Sequence, residues 1–168
     1  MGADSGPSPR LLAQIGSGHI AYAKSPKSFG PAPDAVVFQC QAERGYFLSE
    51  AFTGRLRSGL ERCAVGGDGI VDVHLDFALN DANDQLLHVA FQAIFDVGED
   101  GYEESLRGSL PSMVARATGA ARISSSAPAH RWLNKTQFFL VGERDFQRLS
   151  FSYDLYCLDE RVPARTEQ

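Results

Sequence analysis

The sequence predicts an all-β protein with minor helix, folded as an antiparallel barrel or sandwich, and three observations carry that prediction. First, Ile70 to Leu79 alternates apolar and polar residues with period two, the pattern of a strand with one buried face. Second, turn signals rich in Gly, Pro, Asn and Asp recur at short spacing, which leaves room for strands and little for helices. Third, Gln147 to Leu158 alternates again, with Leu149, Phe151, Tyr153, Leu155 and Cys157 set against Arg148, Ser150, Ser152, Asp154 and Tyr156.

The 168 residues suffice for one core, and 43% hydrophobic with 22% charged residues is an ordinary globular balance. The expected division is a flexible leader over 1–12, a single barrel domain over 13–160 and a tail over 161–168. Met1 to Arg10 is polar and rich in Gly, Ser and Pro, with no apolar signal core after it. Gly6 stands where a myristoylation signal needs Ser or Thr. No apolar run reaches the roughly 18 residues of a membrane span. The expectation is a cytoplasmic chain without a membrane partner. A net charge of −5 with no basic stripe argues against nucleic acid. Cys40, Cys63 and Cys157 are scattered and odd in number, unlike a disulfide framework or a zinc motif, and read as buried thiols.

Along the chain, Gly18 to Ala23 and Val36 to Gln41 read as strands around a turn-rich Ser25 to Pro33. Tyr46 to Arg57 is ambiguous, with Gly54 arguing for a strand, bulge or kink over an uninterrupted helix. Gly66-Gly67-Asp68-Gly69 is a turn before the alternating strand. Asn80 to Gln85 then closes a hairpin into Leu86 to Val97. That second arm is more apolar, so both of its faces are expected to be covered. A short helix is expected around Tyr102 to Leu106, a helix or strand in Pro111 to Ala121, and a loop over Ser124 to Ala129. Thr136 to Val141 and Gln147 to Leu158 are expected to pair around a turn at Gly142-Glu143-Arg144-Asp145.

The candidate chemistry lies on the alternating strand. Asp72, His74 and Asp76 share the face opposite Val71, Val73, Leu75, Phe77 and Leu79. Two carboxylates flanking an imidazole form an acid–base kit if they are enclosed, and a wet surface if they are not. An even hairpin register would place His88 and Gln92 beside them, and an odd one would dissolve the cluster. No nucleophile elbow, phosphate-cradling loop or dinucleotide fingerprint is present, and no histidine pair has helical metal-ligand spacing.

His130-Arg131-Trp132-Leu133-Asn134-Lys135-Thr136, with Phe138-Phe139-Leu140-Val141-Gly142 and the closing Tyr153-Asp154-Leu155-Tyr156, resembles the C-terminal signature of domain-of-unknown-function family 3237. Asp68-Gly69 before the long hairpin is similar to that family's central unit. The resemblance spans roughly Phe38 to Leu158 and is specific at Trp132-Leu133-Asn134. It implies a calycin-like barrel with a central pocket and, through members from fungal natural-product pathways, a cofactor-free cyclase that adds a phenol oxygen across an alkene. The chain departs from the family in three places. Asp76 stands where the family has an arginine, Phe91-Gln92-Ala93 replaces an arginine-bearing strand, and Ser58 to Cys63 replaces a glycine-rich approach.

The expectation is therefore a cofactor-independent cyclase or isomerase acting by intramolecular hydroalkoxylation of a prenylated aromatic polyketide. Asp76, His74 and Asp72 are its catalytic candidates, and His88, Gln92, Trp132, Arg131 and Asn134 its substrate-binding ones. No metal and no cofactor are expected. The partner is a small aromatic substrate, and exposed strand edges permit a homodimer. The alternative is a non-catalytic, lipocalin-like carrier of a small apolar or aromatic ligand.

Overall fold

The structure is a computed structural model and describes residues 11–158. The expected tail, and all but the last two residues of the expected leader, lie outside the described residues. Nine strands follow in order: β1 (Leu12–Tyr22), β2 (Lys27–Pro31), β3 (Ala35–Ser49), β4 (Thr53–Gly66), β5 (Ile70–Asp81), β6 (Leu86–Asp96), β7 (Val114–Ser124), β8 (Phe138–Asp145) and β9 (Ser150–Leu158). One helix, α1 (Gly98–Leu106), joins β6 to β7, and two 3-10 turns, Pro128–His130 and Leu133–Lys135, lie between β7 and β8.

Neighbours from β3 to β9 are sequential and antiparallel, and β1 pairs with both β9 and β3. That double pairing closes an eight-stranded barrel, with β2 a short flap on β3. Closure removes the sheet's free edges over most of its length.

Period-two alternation explains the inside of this barrel. Val71, Val73, Leu75, Phe77 and Leu79 of β5 face inward and meet Leu87, Val89, Phe91, Ala93 and Phe95 of β6. Aromatic rings then interlock edge-on across the core. The Phe77 and Phe91 centroids lie 5.0 Å apart, and those of Phe91 and Tyr153 4.8 Å apart. Such T-shaped contacts suit the ring quadrupoles and fill volume without leaving flat gaps. All three cysteines are buried thiols, and no disulfide joins them, as their scatter suggested.

Turn chemistry fixes the hairpins. Gly69 adopts φ +78°, open to glycine at no steric cost, and Asp68 Oδ1 accepts the Ile70 amide at 3.0 Å. At the far end of β5, Asp81 Oδ1 accepts the Asn83 and Gln85 amides, both at 2.8 Å. This second turn belongs to one rim of the barrel, shared with the β3–β4 hairpin and the two 3-10 turns. The opposite rim carries α1, which lies against β3 and β4.

Several elements depart from expectation. β3 runs on to Ser49, so the ambiguous Tyr46 to Arg57 stretch is a hairpin with its turn at 50–52. β2 forms inside the turn-rich 25–33 segment. α1 starts at Gly98, four residues early, whereas Pro111 to Ala121, expected as helix or strand, is strand from Val114 on. The charged Gly142 to Asp145 is strand, not turn, because Arg144 points inward and finds a buried partner there. The β6 outer face is open rather than covered, with His88, Gln92 and Ile94 exposed. No helix among the described residues is long and apolar enough to cross a membrane.

Candidate functional site

The hairpin register is the even one. His74 stands opposite Gln92 and Ala78 opposite His88, so the cluster expected on β5 and β6 does assemble. It assembles on the outside. The Asp72, His74, Asp76 and His88 side chains are 55%, 46%, 68% and 56% exposed, and the pairs His74–Asp72 and His88–Asp76 stand 3.6 Å apart. Asp76, expected as a catalytic group of a barrel with a central pocket, stands instead on the outer wall. The apolar face of β5 fills the barrel, which forces the polar face into water. Without an enclosure, the desolvation on which the acid–base reading of this face depended is missing, and exposed ion pairs of this kind contribute little.

The 3-10 segment holds the other expected residues. Asn134 is a turn clamp: its Oδ1 accepts the Ser125 amide at 2.8 Å and its Nδ2 donates to the Ser125 carbonyl at 2.9 Å. Half-buried Trp132 packs edge-on against Phe138, 6.2 Å between centroids. Arg131 is exposed. These three shape the cap over one rim and face no common hollow with Asp76.

The cap does bring a fourth residue into play. His130, next to the motif, turns its Nε2–H onto Asp81 Oδ2 at 2.7 Å, with side chains only 8% and 7% exposed. Phe52 stands edge-on to the imidazole, 5.5 Å between centroids. Asp81 has four acceptor sites: two on Oδ1 are taken by backbone amides and one on Oδ2 by His130, which leaves a single free site on Oδ2. Led by the His130 hydrogen bond, these contacts hold the Asp81 carboxyl below its ordinary value, so it is a carboxylate at neutral pH.

Asp81 also lines a hollow of about 680 Å³, together with Tyr46, Leu48, Arg55 and Asn80. That size suits a small organic ligand. Asn80 donates its Nδ2 to Asp84, while its Oδ1 is buried with no partner among the described residues. The hollow is thus bounded by the acidic Asp81, by Asn80, by the cationic Arg55, and by an aromatic and aliphatic wall from Tyr46 and Leu48. Among the described residues, no group of three or more His, Cys, Asp or Glu side chains comes together as a metal ion would require.

A second polar group lies inside the barrel. Glu61 and Arg144 are fully buried and joined through Arg144 Nη2 and Nε at 3.1 and 3.2 Å. Tyr22 donates its hydroxyl to Glu61, Cys63 donates its thiol at 3.2 Å, and the Arg144 guanidinium lies 4.1 Å from the Tyr22 ring centroid. Arg144 Nη1 donates to the carbonyls of Asp145 and Ser150. Burial, then the Glu61 charge, pushes the Tyr22 phenol well up. With every charge answered and packed side chains around it, this group works as a specific core clasp.

Asp81, His130, Glu61 and Arg144 were all missed in the sequence. Asp81 sits in a run of turn residues, and its role depends on a partner 49 positions away. Arg144 stood in an expected turn, and Glu61 only within the Ser58 to Cys63 departure from the family. The one available signal was alternation: Gly59, Glu61, Cys63 and Val65 occupy the same face of β4.

Comparison with known proteins places this architecture among solved barrels. A protein of unknown function from Clostridium acetobutylicum superposes with a TM-score of 0.76 at 15% identity, over 92% of this chain and 100% of that one. A beta-barrel-like protein from Acinetobacter baumannii gives 0.73 at 18%, over 93% and 100%. An enzyme from Penicillium herquei gives 0.64 at 13%, over 92% and 99%. At such identities the likeness is one of fold. No family model matches the chain, and no curated protein does. The resemblance to family 3237 therefore stands on the residues that carry it.

Proposed function

We propose that this barrel is a cofactor-independent isomerase of the cyclase kind, acting on a small hydroxylated aromatic at the rim that carries Asp81. Asp81 touches the substrate and His130 is its positioning residue. The observation behind this reading is the free acceptor site on Asp81 Oδ2, held 2.7 Å from His130 in the wall of a small-molecule-sized hollow. The barrel from Penicillium herquei is an enzyme, so the architecture accommodates catalysis. The proposed reaction is intramolecular hydroalkoxylation, and the Trp132-Leu133-Asn134 resemblance to family 3237 supports it.

The chemistry balances without a co-reactant. A substrate hydroxyl donates its hydrogen bond to Asp81 and its oxygen attacks the alkene. Asp81 takes the hydroxyl proton, and the same carboxyl delivers it to the neighbouring carbon. One O–H bond and one C=C π bond break, while one C–O and one C–H bond form, so the mass is unchanged. A carboxyl with a lowered pKa is a weak base and, once protonated, a strong acid. That balance favours phenols over alcohols as substrates. Holding hydroxyl and alkene together in the hollow supplies much of the acceleration.

A second reading, a non-catalytic carrier of an aromatic ligand, draws on the near-saturation of Asp81, whose three filled acceptor sites also hold a turn and a cap. Incubation with a panel of phenols bearing pendant alkenes separates the two. The cyclase reading expects an isomer of unchanged mass. It also expects Asp81→Asn to lower kcat by about 100-fold with KM little changed. His130→Gln should cost less and move the acid limb of the kcat profile to higher pH, because the bond that most depresses the carboxyl is lost. Saturable binding with no isomer leaves the carrier; no binding overturns both.

A further inference from the structure

We propose that the outer wall of β6 to β9 is the contact surface of a symmetric homodimer, its occupant a second copy of this chain. Closure leaves the barrel few free edges, so two copies meet through a wall or not at all. Ile94 on β6 and Phe139 and Val141 on β8 stand 52%, 43% and 51% exposed, on neighbouring cross-strand rows of one wall. Contiguous exposed apolar surface of this kind marks a contact site more often than a bare face.

Strand register fixes what lies beside what on this wall. Ala120 on β7 stands beside Phe139 on β8, Thr118 beside Val141, and Arg116 beside Glu143. Small side chains on β7 thus adjoin large ones on β8. The β6–β7 side is a furrow of about 410 Å³, bounded by Gln92, Ile94, Thr118 and Ala120, and Phe139 and Val141 form a ridge along its edge. Arg116 and Glu143 are exposed, and neither makes an ion pair with the other or with any other described residue. Furrow and ridge, cation and anion, stand side by side.

That arrangement is complementary to itself. A two-fold axis lying against the wall, parallel to the strands and between β7 and β8, turns β8 of one copy onto β7 of the other. Phe139 of each copy then meets Ala120 of the other, Val141 meets Thr118, and Glu143 meets Arg116. The apolar side chains leave water at the centre, and two Arg–Glu pairs close one end of the contact and fix its register. An unrelated partner would need a matching ridge and charge pair of its own, whereas a second copy already carries both. Barrel curvature limits the contact to about four strands and roughly 450 Å² of wall per copy. That is the size of a reversible interface, one that comes apart on dilution.

The contact shares no residue with the lining of the Asp81 hollow. Sedimentation velocity of the full chain, from low micromolar to near-millimolar concentration, tests the proposal. The wild type should pass from monomer to dimer across that range. Phe139→Ser should weaken association about tenfold. Arg116→Glu brings four carboxylates together and Glu143→Arg four guanidinium groups, so each alone should stay monomeric. The double variant, Arg116→Glu with Glu143→Arg, restores the alternation of sign and should dimerise again. Its recovery also rules out misfolding as the cause of the single losses. Arg62→Glu, the same charge reversal at an exposed position of β4, should associate as wild type. The proposal is overturned if the wild type stays monomeric throughout, if the dimer survives both single reversals, if the double variant does not recover, or if Arg62→Glu weakens association as much as Arg116→Glu.

Discussion

Single residues decide this molecule where a polar atom must choose between the core and water. Glu61 and Arg144 chose the core, and each keeps the other affordable there. Removing one partner strands a buried charge, so Glu61→Leu should cost about 3–5 kcal/mol in urea denaturation, while Glu61→Leu with Arg144→Met should cost far less. Equal losses in single and double variants would contradict the clasp. Asp76 and His74 chose water, and Asp76→Asn or His74→Gln should change stability by no more than about 0.5 kcal/mol. Asp81 gives a pH dependence with a definite sign. Its folded carboxyl titrates below the unfolded one, so its contribution is complete above the ordinary carboxylate range and is lost as pH falls through the folded value. Thermal melts from neutral pH downward should show an acid-side loss that Asp81→Asn reduces.

At the scale of elements, alternation was legible and its direction was not. The β5 and β6 residues that fill the core could be read off the chain, as could the Gly66 to Gly69 turn. Period two, however, says only that two faces differ. Which face a pocket would occupy depends on whether the barrel interior is hollow or filled, and here Phe77, Phe91, Phe151 and Tyr153 fill it. The Trp132-Leu133-Asn134 motif pointed to the right rim for another reason. It builds the cap through Asn134 and Ser125, and the cap delivers His130 to Asp81. Asn134→Ala should therefore loosen the 125–135 segment and weaken ligand binding at the Asp81 hollow. Hydrogen exchange confined to that segment would register it, with the β4–β6 amides unchanged.

The whole molecule is an eight-stranded barrel closed by β1, with its hollows at a rim and on the outer wall. Small barrels fill their interiors with side chains, so ligands meet strand ends, loops and outer grooves. The fold was legible because hairpins are local, whereas the His130–Asp81 pair joins elements that only closure brings together. On the proposed reading, function resides at this pair and not on the Asp72–His74–Asp76 face. One measurement tests it most directly: turnover of alkene-bearing phenols to isomers of unchanged mass by wild type, Asp81→Asn and Asp76→Asn side by side. The account predicts that wild type and Asp76→Asn form the isomer at similar rates and that Asp81→Asn does not. Loss of turnover in Asp76→Asn with retention in Asp81→Asn would contradict it.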